Sequence, residues 1–181
     1  MLTFDDGPDA RYTDKLLDVL AANNIKATFF LVANKMPQNL AVIKRMQKEG
    51  HTIALHSLNH KSQWLMGYKH TKQNFTESLA ILAENGLKVE YYRPCWGLTN
   101  LFTVIFARRY GFKLIYWHVM AGDWSKRSND NSIINKLNRR CKESRTVICL
   151  HDSGEGSGGA PGAPLNTICA LARLLPVWRR Q

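Results

Sequence analysis

The sequence predicts an α/β fold, a parallel sheet or barrel covered by helices. Two observations point there. Short apolar runs alternate along the whole chain with amphipathic runs at helical spacing. Polar residues also recur at one topological position, because Asp5 and Asp6, His56, Arg93, Asp123 and His151 each directly follow a predicted strand. In α/β proteins, sites assemble at the carboxyl ends of strands. With 181 residues, 45% of them hydrophobic and 22% charged, the chain is long enough for a substantial core. Residues 1–181 are expected to form a single domain, without an internal repeat or an interdomain linker.

The chain opens on a β-prone run, Met1 to Phe4, that delivers Asp5 and Asp6 and stops at Gly7-Pro8, a strong turn signal. Thr13 can cap a helix through about Asn24, with Leu16, Leu17, Val19 and Leu20 as its apolar stripe. Ala27 to Val32 reads as a buried strand, and Gln38 to Lys48 as an amphipathic helix stopped by Gly50. Thr52 to Leu55 is a strand running into His56, and Thr71 to Asn85 a helix closed by Gly86. Val89 to Tyr92 is a strand ending at Arg93-Pro94, and Leu101 to Tyr110 a helix stopped by Gly111. Lys113 to His118 is expected as one strand, followed by Gly122-Asp123-Trp124. Ser132 to Cys141 is helical, Thr146 to Leu150 a strand, Ser153 to Pro164 a loop and Pro164 to Val177 the last helix.

Lys plus Arg number 25 against 14 Asp plus Glu, a formal charge of +11 that favours anionic surroundings such as cell-wall polymers. The excess is spread over helix faces and no nucleic-acid-reading motif accompanies it, so no nucleic-acid partner is expected. No apolar run reaches the roughly 20 residues of a membrane-spanning helix. No secretory signal peptide is visible, and Met1 falls where a strand is already under way, as expected of a domain trimmed at its N-terminus. The four cysteines show neither Cys-x-x-Cys spacing nor a dense framework, so no disulfide is expected. Cys149 and Cys169 sit in apolar surroundings and are expected to be buried.

Adjacent residues at a strand end point different ways, so Asp5 and Asp6 can take different roles in one pocket. His56 and His60 stand four apart, a spacing that puts two imidazoles on one face of a helical turn. With Asp6 they make two histidines and one carboxylate, a set that suits a catalytic zinc with an open position. Asp5 is the candidate base for a hydrolytic water. His151 is the candidate acid, provided a carboxylate such as Asp123 keeps it protonated, and Arg93 is suited to orient Asp5. Backbone N–H groups after Pro94 could meet a developing oxyanion. Each motif alone has a plainer reading as turn, surface histidine or ion pair; their shared position at strand ends favours a site.

These residues carry a resemblance that spans essentially the whole chain. Thr3-Phe4-Asp5-Asp6-Gly7-Pro8, His56-Ser57-Leu58-Asn59-His60, Arg93-Pro94-Cys95-Trp96-Gly97, Asp123-Trp124 and Leu150-His151 after Ile148-Cys149 occur in the order seen in polysaccharide deacetylases of the NodB-homology type, carbohydrate esterase family 4. The chain resembles that family. The resemblance implies a distorted (β/α) barrel of about seven parallel strands, and a divalent metal, usually Zn2+, on Asp6, His56 and His60. It implies Asp5 as base positioned by Arg93, and His151 as acid tuned by Asp123. The Trp96 N–H would help stabilise the oxyanion, Trp124 would wall a sugar groove, and Cys149 and Leu150 would contact substrate. The implied reaction removes N-acetyl groups from N-acetylhexosamine glycans of chitooligosaccharide or peptidoglycan type, releasing acetate, with the protein acting as a monomer.

Two alternatives accompany that reading: a sugar-binding member of the same fold without chemistry, and an esterase or amidase acting on another acyl substrate. The complete set of base, acid and metal ligands speaks against the first. Two positions depart from the family pattern. Met120 stands where many members have a further Asp, and Cys149 where Leu is usual, which predicts a wider acyl pocket. His51, His70 and His118 fall outside the constellation and are expected as surface or structural residues. Trp64, Trp117 and Trp178 are expected as core or surface aromatics, with Trp64 the one near enough in sequence to line a groove. The loop from Gly154 to Gly162 lies next to His151 in sequence and is expected as a plain flexible loop, with a mobile lid as the alternative. Nothing in the sequence fixes the location; family and charge lean to the cell envelope.

Overall fold

A computed structural model describes residues 1–141 and 145–179. Seven parallel strands form one curled sheet in the order β5-β4-β3-β2-β1-β7-β6, a distorted half-barrel wrapped by helices. The strands are β1 (Leu2–Asp5), β2 (Thr28–Leu31), β3 (Thr52–Leu55), β4 (Tyr91–Tyr92), β5 (Lys113–Leu114), β6 (Val119–Met120) and β7 (Ile148–His151). The helices are α1 (Thr13–Ala22), α2 (Leu40–Lys48), α3 (Tyr68–Glu84), α4 (Leu101–Arg109), α5 (Asp130–Arg140) and α6 (Ala163–Trp178). No helix among the described residues is long and apolar enough to cross a membrane.

Period-2 alternation divides each central strand between two environments. Phe4, Phe29, Leu31, Ile53, Leu55, Ile148 and Leu150 enter the main apolar core. There they meet Leu16, Leu17 and Leu20 of α1, Met46 of α2, Phe75 of α3 and Leu171 of α6. Asp5 and His151 are register partners on β1 and β7, and Phe30 is the partner of Asp5 on β2. These three side chains therefore leave adjacent strands on the other, inward face.

Of the expected strand over Lys113 to His118 only β5, Lys113–Leu114, is strand, and β6 follows the span on the opposite edge of the sheet. β5 pairs with β4 and β6 pairs with β7, and only residues 115–118 join them. Five Cα steps reach at most about 18 Å at about 3.6 Å each, so the sheet must curl until its edges nearly meet. The gap is closed by a side chain. Arg93, 0% exposed, donates from Nε to Ile115 O and from Nη2 to Tyr116 O, both at 3.3 Å. A one-dimensional apolar pattern cannot show this, since both short strands and their link are equally β-prone.

Other boundaries move for local reasons. Thr13 is the first residue of α1 rather than its cap; its hydroxyl accepts from Asp9 N at 3.0 Å and donates to Asp152 Oδ2 at 2.6 Å. Asn100 and Asn129 make capping boxes with Thr103 and Ser132, which starts α5 two residues before the expected Ser132. Helical spacing turns Thr167, Ala170, Leu171 and Leu174 of α6 inward, and it leaves Cys169 exposed, contrary to expectation.

Candidate active site

The strand ends meet around a cavity of about 230 Å³ lined by Asp5, Asp6, His56, His60, Trp96 and His151 among others. Asp5 ends β1, and Asp6 follows in the left-handed region at φ 76, which turns its carboxylate away from that of Asp5. Gly7 must stay bare, because a Cβ there would lie 2.3 Å from Asp152 Oδ2.

His56 and His60 are not on a helix. They belong to an irregular loop after β3 in which Ser57 and His60 adopt φ 69 and 52. That loop brings the rings to 5.2 Å between centroids. His56 Nε2 and His60 Nε2 lie 3.5 and 2.9 Å from Asp6 Oδ1. His56 Nδ1 is 2.7 Å from Arg93 O, and a carbonyl only accepts, so Nδ1 carries a proton and Nε2 is the nitrogen turned to Asp6.

Asp6 Oδ1 and His60 Nδ1 are buried without a hydrogen-bond partner. Burial alone would raise the Asp6 pKa, but the imidazoles of His56 and His60 and the charge of His151 outweigh it and hold the carboxyl well below its usual range. An ionised buried carboxylate facing two imidazole nitrogens fits a divalent cation, which would satisfy all three at once.

Two other groups of potential ligands fit less well. Cys95 lies near His56 and His60. Burial pushes its thiol up to about 12, and Sγ is engaged with Ser57 Oγ at 3.1 Å, so it offers no thiolate. Asp5, Cys149 and His151 also cluster. There Asp5 Oδ1 accepts from Arg93 Nη1 at 2.7 Å, His151 Nδ1 is held by Asp123, and burial raises the Cys149 thiol well above its ordinary value.

Asp5 is held from both sides. Arg93 Nη1, which bonds its Oδ1, also donates to Thr3 Oγ1 at 2.7 Å, and the guanidinium rests 4.0 Å from the Phe30 ring centroid. Oδ2 accepts from Cys149 Sγ at 3.3 Å and is otherwise the oxygen left for a proton. Across the cavity, Asp123 Oδ1 lies 2.9 Å from His151 Nδ1, while Oδ2 accepts from His151 N and Thr167 Oγ1, both at 2.8 Å. Burial opposes charge on His151, but Asp123, with Asp6 and Asp5 behind it, lifts the imidazolium to about 9. A gap between an oriented carboxylate and a protonated imidazole is equipped to remove one proton and supply another.

The walls differ from expectation in part. Trp96, at φ 54, stands with its ring 4.5 Å from that of His60, and Trp124 packs edge-on against His151 at 5.1 Å. Trp117, expected as a core or surface aromatic, lines the cavity with Met120. A Cβ on Gly97 would meet Trp117 Cη2 at 2.7 Å, so the bare glycine lets that ring in. Ser157, Gly158 and Gly159 of the loop after β7 form the facing wall, and Ala160 N donates to Trp124 O at 2.9 Å. Leu150 lies in the main core instead of at the site, because alternation sends it opposite Cys149 and His151. Trp64 is 57% exposed and outside the cavity lining. His51 Nδ1 accepts from Ala27 N and His118 Nδ1 from Val147 N, both at 3.1 Å, which are structural roles.

Comparison with known proteins identifies the family. Residues 1–115 match the family model described as polysaccharide deacetylase. A peptidoglycan-N-acetylglucosamine deacetylase of Bacillus cereus is 29% identical over 182 residues, covering 99% of this chain and 81% of that protein. A chitooligosaccharide deacetylase of Sinorhizobium fredii is 28% identical over 186 residues, covering 97% and 83%. The crystal structure of a peptidoglycan N-acetylglucosamine deacetylase bound to a naphthalenyl N-hydroxybenzamide superposes with a TM-score of 0.87 at 28% identity, covering 99% of this chain and 80% of the other. With the match to the family model extending over more than half its length, the chain belongs to the polysaccharide deacetylase family.

Proposed function

We propose that this protein is a zinc-dependent deacetylase that hydrolyses the N-acetyl groups of N-acetylhexosamine glycans, releasing acetate and leaving a free amine. The observation that carries the reading is the pairing, across one cavity, of a fixed carboxylate (Asp5) with a charged imidazole (His151), beside a buried carboxylate with no proton to share (Asp6). Membership of a carbohydrate deacetylase family supports it.

Asp6, His56 and His60 would hold the metal. When bound, zinc would polarise the scissile carbonyl and lower the pKa of a water, the chemistry expected of a site with two histidines and one carboxylate. Asp5 takes a proton from the attacking water on Oδ2, because Oδ1 is committed to Arg93. Arg93 keeps that oxygen aimed while its other donors are anchored on Ile115 O and Tyr116 O. The Trp96 N–H is the proposed donor to the carbonyl oxygen as it gains charge. His151 gives the proton on Nε2 to the departing nitrogen, with Nδ1 held by Asp123. Water thus supplies the hydroxyl of acetate and, through Asp5, a proton, while His151 supplies the one that makes the amine leave.

The test is acetate release from N-acetylglucosamine oligomers, with the protein stripped of metal and then resupplied with zinc. Activity lost on stripping and restored by zinc is the expected result. An acetate signal indifferent to metal would refute the metal assignment, and no acetate from any N-acetylated oligomer would refute the reaction.

A further inference from the structure

A second cleft of about 530 Å³ adjoins the reaction cavity, and the two share Met120 and Trp124 as a common wall. The loop after β6 and the outer face of α5 build the rest of it, contributing Ser125, Arg127, Lys136 and Arg140. No carboxylate side chain lines it. Lys136 Nζ donates to Ala121 O at 2.8 Å and stands over Gly122, where a Cβ would come within 3.2 Å of the nitrogen. An ammonium carries three donors, so this anchored one keeps two to offer. Among the described residues, Arg127 and Arg140 have no carboxylate partner, which is equally true of Arg108, Arg109 and Arg139; what sets these two apart is that they line one cleft together with Lys136.

Three cations around a concave surface, with no anion among them, raise the local concentration of negative groups. A neutral glycan running through this cleft would leave all three unpaired. Building on the deacetylase reading above, we propose that the cleft is an anion subsite that receives a carboxylate carried by the sugar next to the one losing its acetyl group. The preferred substrate class is therefore an acidic N-acetylated glycan. Trp124 lines both sites, so the two open side by side across its ring.

The experiment compares three tetrasaccharides of equal length on the zinc-loaded protein. One alternates N-acetylglucosamine with N-acetylmuramic acid, whose lactyl groups carry free carboxylates; the second is its lactyl methyl ester; the third is chitotetraose. Acetate release gives kcat/KM. Tryptophan fluorescence gives Kd, measured in the Asp5→Asn variant where the wild type turns the ligand over. The free acid is expected to be favoured about tenfold over its ester in both quantities at low salt, since exposed ion pairs contribute up to about fivefold each. That preference should fall towards onefold in the Arg127→Gln/Arg140→Gln double variant, and also in about 0.3 M salt. Both arginines are exposed, so the variant keeps the fold. Equal handling of acid and ester by the wild type, or a preference that survives the double variant, overturns the subsite. If no oligomer releases acetate but acid still binds better than ester, the reaction falls and the subsite stands. Acetate release without preference has the opposite meaning.

Discussion

Replacing Asp123 by Asn isolates the electrostatics of the proposed acid. Asp123 accepts three hydrogen bonds, and two of them, from His151 N and Thr167 Oγ1, converge on Oδ2. Asn can keep that pair on its carbonyl oxygen, which turns its NH2 towards His151 Nδ1 and removes the negative charge. His151 then loses the leading cause of its rise from 6.5 to about 9, a rise worth about 3 kcal/mol at about 1.4 kcal/mol per pH unit. At about pH 7.5 the protonated fraction falls from about 97% to about 9%, whereas at about pH 6 it remains about 75%. The assay is the pH dependence of kcat/KM for acetate release, which reports the free enzyme's essential groups. The wild-type basic limb should lie near 9 and move down by two or more pH units in the variant, with about tenfold loss near pH 7.5 and under twofold near pH 6. The sign follows from an imidazolium being the active form: activity is present below the His151 pKa and lost as pH rises through it. An unmoved basic limb, or a loss equal at every pH, would refute the assignment of His151 as an acid tuned by Asp123.

Three further changes test the rest of the site. Asp5→Asn keeps shape but cannot take a proton, so turnover should fall by roughly 10²–10⁴ while zinc binding by calorimetry is retained; wild-type-like turnover would remove Asp5 as base. His56→Ala should weaken zinc at least about 100-fold by competition with a chelator, more than the loss of a supporting group alone, and unchanged affinity would take it out of the ligand set. Cys149→Leu adds bulk against Asp5 Oδ2; the ratio of acetyl to propionyl hydrolysis should rise, and an unchanged ratio would end the idea of a widened acyl pocket.

Much of this site was legible before any coordinates. Strand-end placement brought Asp5, Asp6, His56, Arg93, Asp123 and His151 to one end of one sheet, because in a parallel sheet all carboxyl ends lie on the same side. What the sequence hid was geometry that no period encodes. Ser57 and His60 reach their positions through left-handed backbone in a loop, where helical spacing predicts nothing. Trp117 becomes a wall only because β5 and β6 part to opposite edges and Gly97 leaves room for its ring. Leu150 stands beside His151 in sequence, yet alternation along β7 sends it to the opposite face, away from the substrate contact that the resemblance implies. The cationic cleft joins residues from a loop and a helix whose charges, read along the chain, look like ordinary solvated positions.

The sheet order has a consequence for how the protein is made. β1 lies between β2 and β7, with Leu2 paired to Ile148, so β1 waits for a strand made almost 150 residues later. Asp6, His56 and His60 are all present once residue 60 has emerged, and β1, β2 and β3 can already align. Asp123 and His151 arrive much later, and pairing across that distance is the slow, costly kind of contact. A growing chain therefore carries the proposed metal ligands, on a sheet whose β1 edge is still unpaired, well before it owns the proposed acid. A chaperone or a captured ion acting in that interval would meet a different molecule from the finished one.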